Sequence, residues 1–498
     1  MTETSQLKTK TLFGLFWSFI DLFASQGIQF LMIMILARIL SPDHFGLIGM
    51  IVVFIVISNS LIDSGLTQAL IREKNVNQQD YSTVFFFNLF ISCLLYILLY
   101  FCAPFISSFF HNEQLVGLLR VSSLGLIISS FGIVQRVILT KKINFRTQTK
   151  INVVALICGG ILATILAILG FGVWSLVYQT LTVQVIQVIL LWFNNKWIPS
   201  LTFSMNSFKR LFHFGYKLLI SGILDTAFNN VFSIIIGRLY SASQLGLYTN
   251  AVKLRDVMIV SVTSALQRVT YPVMSRIQDD EERLRVAFQK IIRTSAFVMF
   301  PIMIGLISIS DSLIPLLLGQ KWIESVIYFK LLCLAGMIYP IHAINLNILQ
   351  VKGRSDLFLK LEIIKKVLLT LLIGASLFFS FGIIGLIVAA VISSYLSLFI
   401  NAYYSATEIG YSSLQQLKDM LPSFLIAFLM GGIVYALGSI LPDNKFIKLI
   451  IQISIGSILY IVFSWKLKIK ELETMYQIIV QFYWKMKQGV VKMRGRQV

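Results

Sequence analysis

Several ionisable and polar side chains lie inside otherwise apolar runs, where each is costly unless it faces a cavity or a partner. Asp21, Ser25 and Gln29 are spaced by four and so share one helical face. Two hundred residues further on, Ser221, Asp225 and Asn229 form a second stripe of the same kind. Ser58, Asn59, Asp63, Thr67 and Gln68 mark the next run, and its counterpart carries Lys253, Arg255, Asp256, Thr263, Gln267 and Arg268. Carboxylates and amides can hold a cation or hydrogen-bond hydroxyl groups, whereas arginine and lysine give charge-assisted hydrogen bonds to phosphate, arginine through a planar fork. One reading of the stripes is a hydrated cavity for a polar, anionic ligand. The other is polar packing between helices. Their paired placement favours the cavity for Asp21 and Asp225, while Lys253, Arg255 and Arg268 suit a cavity and a surface anchor equally.

The elements that carry these residues follow from composition. Of 498 residues 57% are hydrophobic and 13% charged, with a mean hydropathy of +0.82, too apolar for a chain that must hydrate its surface. A membrane span needs roughly 20 apolar residues, and such segments fill nearly the whole chain. The sequence predicts an all-α polytopic membrane protein of about fourteen spans, near 11–37, 45–71, 83–104, 115–137, 151–170, 172–192, 214–240, 247–272, 293–317, 326–350, 363–381, 383–404, 420–441 and 447–466. The first exceeds a signal-peptide core and lacks a small-residue cleavage pattern, so it reads as a retained helix.

A net charge of +20 would suggest nucleic acid in a soluble protein, but here it reads as topology and no nucleic-acid partner is expected. With the N-terminus in the cytoplasm, only Arg38, Arg120, Arg238, Lys321, Lys330, Lys445 and Lys448 fall near the outer face. The remaining basic residues fall toward the inner side, which puts both termini in the cytoplasm.

Leu36–Ser41 with Gly46-Leu47 returns as Ile236–Ser241 with Gly246-Leu247, and Phe171-Gly172-Val173 returns as Phe381-Gly382-Ile383. Six intervening spans give the copies one orientation, so two lobes related by an axis along the membrane normal are expected around a central cavity. The layout is residues 1–200 as a first lobe, 201–404 as a second, 405–466 as a final pair and 467–498 as a basic amphipathic cytoplasmic tail. Gly46 and Gly246 suit close backbone packing or a helix start, and Arg38 and Arg238 suit headgroup contact as well as substrate. Ser204 to Phe214, Asp279 to Ile292 and Lys470 to Gln488 read as amphipathic surface helices.

Cys93, Cys102, Cys158 and Cys333 lie apart in apolar runs and read as packing residues, and four scattered histidines make no metal constellation. There is no GxxxxGK[ST] phosphate loop and no long extramembrane loop, which disfavours an ATP-driven pump or a transferase.

The runs Ile62–Arg72 with Tyr81–Phe85, Leu245–Tyr248 with Lys253–Asp256, and Tyr271–Arg276 with Glu281–Arg285 resemble the polysaccharide transporter family of the MOP (multidrug, oligosaccharidyl-lipid, polysaccharide) superfamily. Leu317–Trp322 and Gln350–Arg354 extend the likeness, which is greatest to exporters of the colanic-acid and teichuronic-acid type. The resemblance implies a Wzx-type flippase for undecaprenyl-diphosphate-linked oligosaccharide repeat units, working by alternating access for O-antigen, capsule or exopolysaccharide assembly. It further implies a bacterial inner-membrane monomer among membrane lipids, beside a polymerase and glycosyltransferases, with no enzymatic activity. H⁺ or Na⁺ is the candidate coupling ion, and no other cofactor or metal is expected. The family has no universal motif to transfer, so the substrate-binding set remains a physical reading: Arg255, Arg268, Lys253, Asp21, Ser25, Gln29, Asp225, Asn229 and Asp63. Three alternatives stay open: an ion-coupled multidrug efflux pump, for which Asp21, Asp63 and Asp225 would serve a cationic drug, a flippase for a peptidoglycan precursor, and a membrane-bound polymerase or ligase.

Overall fold

The computed structural model describes residues 3–442 and 444–477, with side chains described for these except 3–13, 15, 217, 218, 265, 268, 269, 271, 272 and 355. The described residues contain helices and no strands. Lipid cannot satisfy open backbone groups, so a chain this apolar closes its hydrogen bonds within helices. Among the described residues eleven helices are long and apolar enough to cross a membrane, or twelve if a pair bent by 41°, Leu219–Asn229 with Val231–Leu239, is one span. Helices Ala242–Arg276 and Ser355–Phe378 have the length but carry more charge, so the eleven or twelve apolar spans are roughly consistent with the fourteen expected.

Contacts divide the chain into two units. The first comprises residues 1–253 and the short segment Leu317–Trp322. Its helices are α1 (Glu3–Ile39), α2 (Pro42–Asp63), α3 (Leu66–Arg72), α4 (Gln78–Phe110), α5 (Gln114–Ser122), α6 (Leu124–Lys141), α7 (Phe145–Ile168), α8 (Trp174–Asn195), α9 (Met205–Asn229), α10 (Val231–Leu239) and the first residues of α11 (Ala242–Arg276). Helix α1 packs along α7, α7 along α8, and α6 lies against both α8 and α4. The second unit holds the rest of α11, α12 (Glu281–Leu318) up to Leu316, α13 (Ser325–Gly336), α14 (Tyr339–Val351), α15 (Ser355–Phe378), α16 (Gly382–Ile409), α17 (Ser413–Ile440) and α18 (Lys445–Lys466).

Local chemistry sets the helix ends. Pro42 stands at the first helical position of α2, and the backbone N–H of Ser41 donates to His44 Nδ1 at 3.3 Å. Asn77 and Asp80 cap α4 reciprocally, side chain to backbone, at 2.8 and 3.1 Å. On α4, Phe90, Leu94, Ile97, Leu98, Phe101 and Phe105 are exposed at helical spacing, the face a membrane helix presents to lipid. The opposite side buries Phe85 among Phe131, Trp192 and Trp197.

Four expected spans are interrupted, among them 115–137, which breaks at Ser123 between α5 and α6. The run 45–71 breaks at Ser64 and Gly65, both left-handed at φ 46° and 67°. A Cβ on Gly65 would fall 2.4 Å from the Gly215 carbonyl oxygen, so glycine serves both the backbone angle and the approach of α9. The run 214–240 bends at Asn230, and 326–350 breaks at Met337 and Ile338 just before Pro340, which lacks an N–H to continue the ladder. Conversely, the surface stretches Ser204–Phe214 and Asp279–Ile292 are not separate helices, because they run without a break into α9 and α12. A change from polar to apolar composition does not end a helix; only a breaker or a cap does. Of the tail stretch, residues 470–477 are helical and 478–488 lie outside the described residues. Cys333 is buried, Cys93 and Cys102 are half-buried, and Cys158 is exposed on the apolar surface rather than packed inside.

The sequence echo has a structural counterpart. Helices α2 and α11 begin 200 residues apart, and each glycine of the echo packs on the other helix. A Cβ on Gly46 would lie 1.7 Å from the Ala242 carbonyl oxygen, and one on Gly246 would lie 1.8 Å from the Pro42 carbonyl oxygen. This exchange of equivalent contacts is the signature of a local two-fold relation. Beside it the Leu317–Trp322 segment closes the end of α1. The buried Trp322 indole donates to the Ala37 carbonyl at 2.9 Å, Lys321 Nζ donates to the Arg38 carbonyl at 3.1 Å, and Arg38 Nε donates to the Leu317 carbonyl at 3.1 Å. Carbonyls at a helix end have no partner within the helix, so this segment acts as the cap. Arg38 is therefore held by the protein.

Candidate functional site

In the first unit the Asp21 stripe meets side chains from three other helices. The Asp21 carboxylate accepts from Asn152 Nδ2 at 3.1 and 3.4 Å, Asn152 Oδ1 accepts from Gln187 Nε2 at 3.3 Å, and Gln187 Oε1 accepts from an Arg136 guanidinium nitrogen at 3.2 Å. Helices α1, α7, α8 and α6 are thereby joined by a chain that ends in a carboxylate and a guanidinium. Asp21 and Ser25 are half-buried and Gln29 is exposed, so the stripe opens along its length. Arg136, Asn152 and Gln187 were not among the sequence candidates, though each is a polar residue within an apolar run and meets the same criterion. Removing one member should be felt by the rest. Asp21→Ala is expected to cost about 1.5–3 kcal/mol, the range for hydrogen bonds to a charged group. Adding Arg136→Gln should cost less than the sum of the two single changes, because the chain is already broken. Thermal unfolding of the four purified proteins measures this, and strict additivity would refute the coupling.

Asp63 sits at the end of α2, beside the break. Its Oδ1 and the Thr67 hydroxyl are buried with no hydrogen-bond partner among the described residues. Helices α2 and α9 also meet through the Ser60 and Thr226 hydroxyls at 3.2 Å, while Ser221, Asp225 and Asn229 of α9 are exposed.

Lys253 is exposed, with its ammonium 5.8 Å from the centre of the Phe45 ring. In the second unit Arg255 is engaged by its neighbour, donating from Nε and a terminal nitrogen to Asp256 Oδ1 at 2.9 and 2.6 Å. A phosphate there would share the guanidinium with a resident carboxylate. Arg268 lies on α11, and its side chain is outside the described residues.

Residues 35–327 match the family model described as a polysaccharide biosynthesis protein. The chain belongs to that family. It is 27% identical to the teichuronic acid biosynthesis protein TuaB of Bacillus subtilis (strain 168), over 82% of this chain and 85% of that one. To the lipopolysaccharide biosynthesis protein WzxC of Escherichia coli (strain K12) it is 24% identical, covering 88% and 89%. Among solved structures, the lipid II flippase MurJ in an inward closed conformation superposes with a TM-score of 0.73 at 17% identity, covering 94% of this chain and all of that one. The chain is thus a multi-pass membrane protein that shares its fold with that structure.

The second unit has a polar cluster that the sequence did not single out. Asp419 accepts from Gln289 Nε2 at 2.6 Å, Arg293 at 2.5 Å and the Tyr411 hydroxyl at 2.5 Å, tying α12, α17 and the turn before α17. Burial, and then the bond to Asp419, push the Tyr411 hydroxyl pKa upward. It therefore remains a donor at neutral pH. Nearby, Asn345 Nδ2 donates to Gln416 at 3.2 Å and Ser405 donates to Asn345 at 2.5 Å, while His342 lies within hydrogen-bond distance of Ser394 and Asn401. Most of these groups satisfy one another, which reads as helix packing and not as an open receptor, while Arg293 Nε and Asn401 Oδ1 are buried with no hydrogen-bond partner among the described residues.

Proposed function

We propose that this protein carries an undecaprenyl-diphosphate-linked oligosaccharide repeat unit from the cytoplasmic to the periplasmic leaflet by alternating access, without catalysing a covalent step. The observation that carries this reading is the family match over residues 35–327, to which the full-length likeness to a lipid II flippase adds support. Relatives named for teichuronic acid and lipopolysaccharide biosynthesis point to O-antigen, capsule or exopolysaccharide precursors as cargo. The protein sits in the bacterial inner membrane with both termini in the cytoplasm and works as a monomer beside a polymerase and glycosyltransferases. Residues 11–192 and 214–404 serve as the two moving lobes.

The cargo sets what the polar groups must do. A diphosphate entering low dielectric needs its charge offset, and a guanidinium does so with paired hydrogen bonds. Arg255, Arg268 and Lys253 form the head-group receptor. The exposed Asp225, Asn229 and Gln29, with Ser25 and Asp63, meet sugar hydroxyls, and Asp21 or Asp225 takes the coupling H⁺ or Na⁺. Asp21 shares its network with Arg136, which disfavours a multidrug efflux role in which this carboxylate holds a cationic drug.

Complementation tests the reading in a strain deleted for its repeat-unit flippase, with polymer export measured at matched membrane abundance. The wild-type protein should restore export, and accumulation of lipid-linked repeat units in the inner leaflet despite its presence would refute the function. Arg255→Ala/Arg268→Ala is expected to lower export at least about tenfold, as for one lost charge-assisted contact. The corresponding lysine variants should fall less, since lysine keeps the charge but not the fork. Full export from the double alanine variant would remove the head-group assignment alone.

A further inference from the structure

At one end of the first unit, where α3 ends and α9 begins, the surface encloses a cavity of about 460 Å³ lined by Arg72, Glu73, Lys74, Asn75, Arg210 and Phe214 among others. Three cations face one carboxylate there. The Arg72 guanidinium lies 4.3 Å from the centre of the Phe214 ring, which covers one of its faces. Arg210 donates to the fully buried Asp80 at 2.7 Å, yet about half of its side chain remains exposed. Behind the loop Lys141 Nζ donates to the carbonyls of Leu70 and Glu73 at 3.0 and 2.5 Å, which caps α3 and adds a fourth positive charge. Asp80 is committed to Arg210 and the Asn77 N–H, so Glu73 is the one carboxylate in the lining.

The neighbouring chain points to the ligand's source. The strap from α8 to α9 is pinned to the start of α4 by Gln78 Nε2 to the Ile198 carbonyl at 2.7 Å, Ser82 to Ser200 at 2.9 Å and the Ser204 N–H to Thr83 at 3.0 Å. It nonetheless exposes Ile198, Leu201 and Phe203, with Leu201 94% exposed, and the first residue of α9, Met205, is exposed beside them. Apolar side chains held outward beside a basic pocket, at the end of spanning helices, match the boundary between headgroups and acyl chains.

We propose that this pocket binds the phosphate of an anionic phospholipid, whose acyl chains lie against the strap. Arg72 and Lys74 provide the removable charge, and Arg210 is held in place by Asp80. A free phosphate ion offers similar chemistry but does not account for the exposed apolar strap, whereas the transported lipid has both a diphosphate and an apolar chain and is distinguished by the test. The site does not depend on what the protein transports.

The test is native mass spectrometry of the full chain released from mixed micelles of phosphatidylglycerol and phosphatidylcholine. The wild-type protein should retain phosphatidylglycerol preferentially. Each surface cation is worth about fivefold in binding to an anionic lipid, so Arg72→Gln/Lys74→Gln should weaken retention by roughly 25-fold. Lys209→Gln, an exposed neighbour outside the lining, should leave it unchanged. Equal retention of the two lipids by the wild type, or undiminished retention by a double variant that melts like the wild type, would overturn the proposal. So would displacement of phosphatidylglycerol by equimolar inorganic phosphate or farnesyl diphosphate, which would give the pocket to a free ion or to the transported lipid. Export is read separately in the complemented strain, so loss of the flippase reading leaves this result standing.

Discussion

Gly46→Ala is expected to abolish polymer export, whereas Gly27→Ala should leave it unchanged. Both changes add one methyl group to a helical glycine, and helix propensity alone would make either favourable. The difference is what the new carbon meets. At Gly27 there is nothing within 4 Å, while at Gly46 the Ala242 carbonyl oxygen is 1.7 Å away with its carbon at 2.6 Å. Backbone atoms cannot turn aside as a side chain does, so α2 and the start of α11 must part. Contacts on either side of the crossing are lost with them, because Gly246 approaches Pro42 in the same way. Overpacking of this kind costs about 3 kcal/mol or more where nothing can yield. Ala242→Gly should not rescue it, since the clash is with main-chain atoms. Export at matched abundance, together with thermal melting, checks the pair, and normal export from Gly46→Ala would show that the crossing can open without loss.

Trp322→Ala should be the most destabilising single change in the first unit. Trp322 is fully buried, stands edge-on to Phe45 with ring centres 5.4 Å apart, and donates to the Ala37 carbonyl. Truncating a buried tryptophan costs about 3–5 kcal/mol through lost contacts and the cavity left behind. Trp322→Phe keeps most of the ring but removes the N–H, leaving a buried carbonyl unpaired at about 1–3 kcal/mol. The expected order of melting temperatures is wild type, then Trp322→Phe, then Trp322→Ala. A phenylalanine variant as stable as the wild type would mean that the indole contributes by shape alone.

The places of most spans were legible because hydrophobicity over twenty residues is a local property. Breaks inside them were less so. Ser64-Gly65 and Pro340 carried recognisable signals, but the bend at Asn230 has neither glycine nor proline beside it. The Asp21 stripe could be read from spacing, yet its partners could not, since the bond to Asn152 spans 131 positions of sequence and depends on how α1 lies against α7. For Arg255 the nearest charge in the sequence, Asp256, is also its partner in space. The glycine echo pointed to close packing without saying against what. Its answer, each copy against the other, needed the structure.

The cap on α1 also orders events in time. It is supplied by residues 317–322, about 280 positions after the carbonyls of Ala37 and Arg38 that it satisfies. At roughly 5–20 residues per second of synthesis, about 15 to 60 seconds separate the two ends of that contact. Throughout this interval α1 has entered the bilayer with its end open, and the pocket for Trp322 beside Phe45 has no occupant. The first unit therefore completes its packing only after much of the second has been made. Its folding is set by late arrival, and a chain interrupted anywhere between 254 and 316 holds all the early helices but not the residue that locks them.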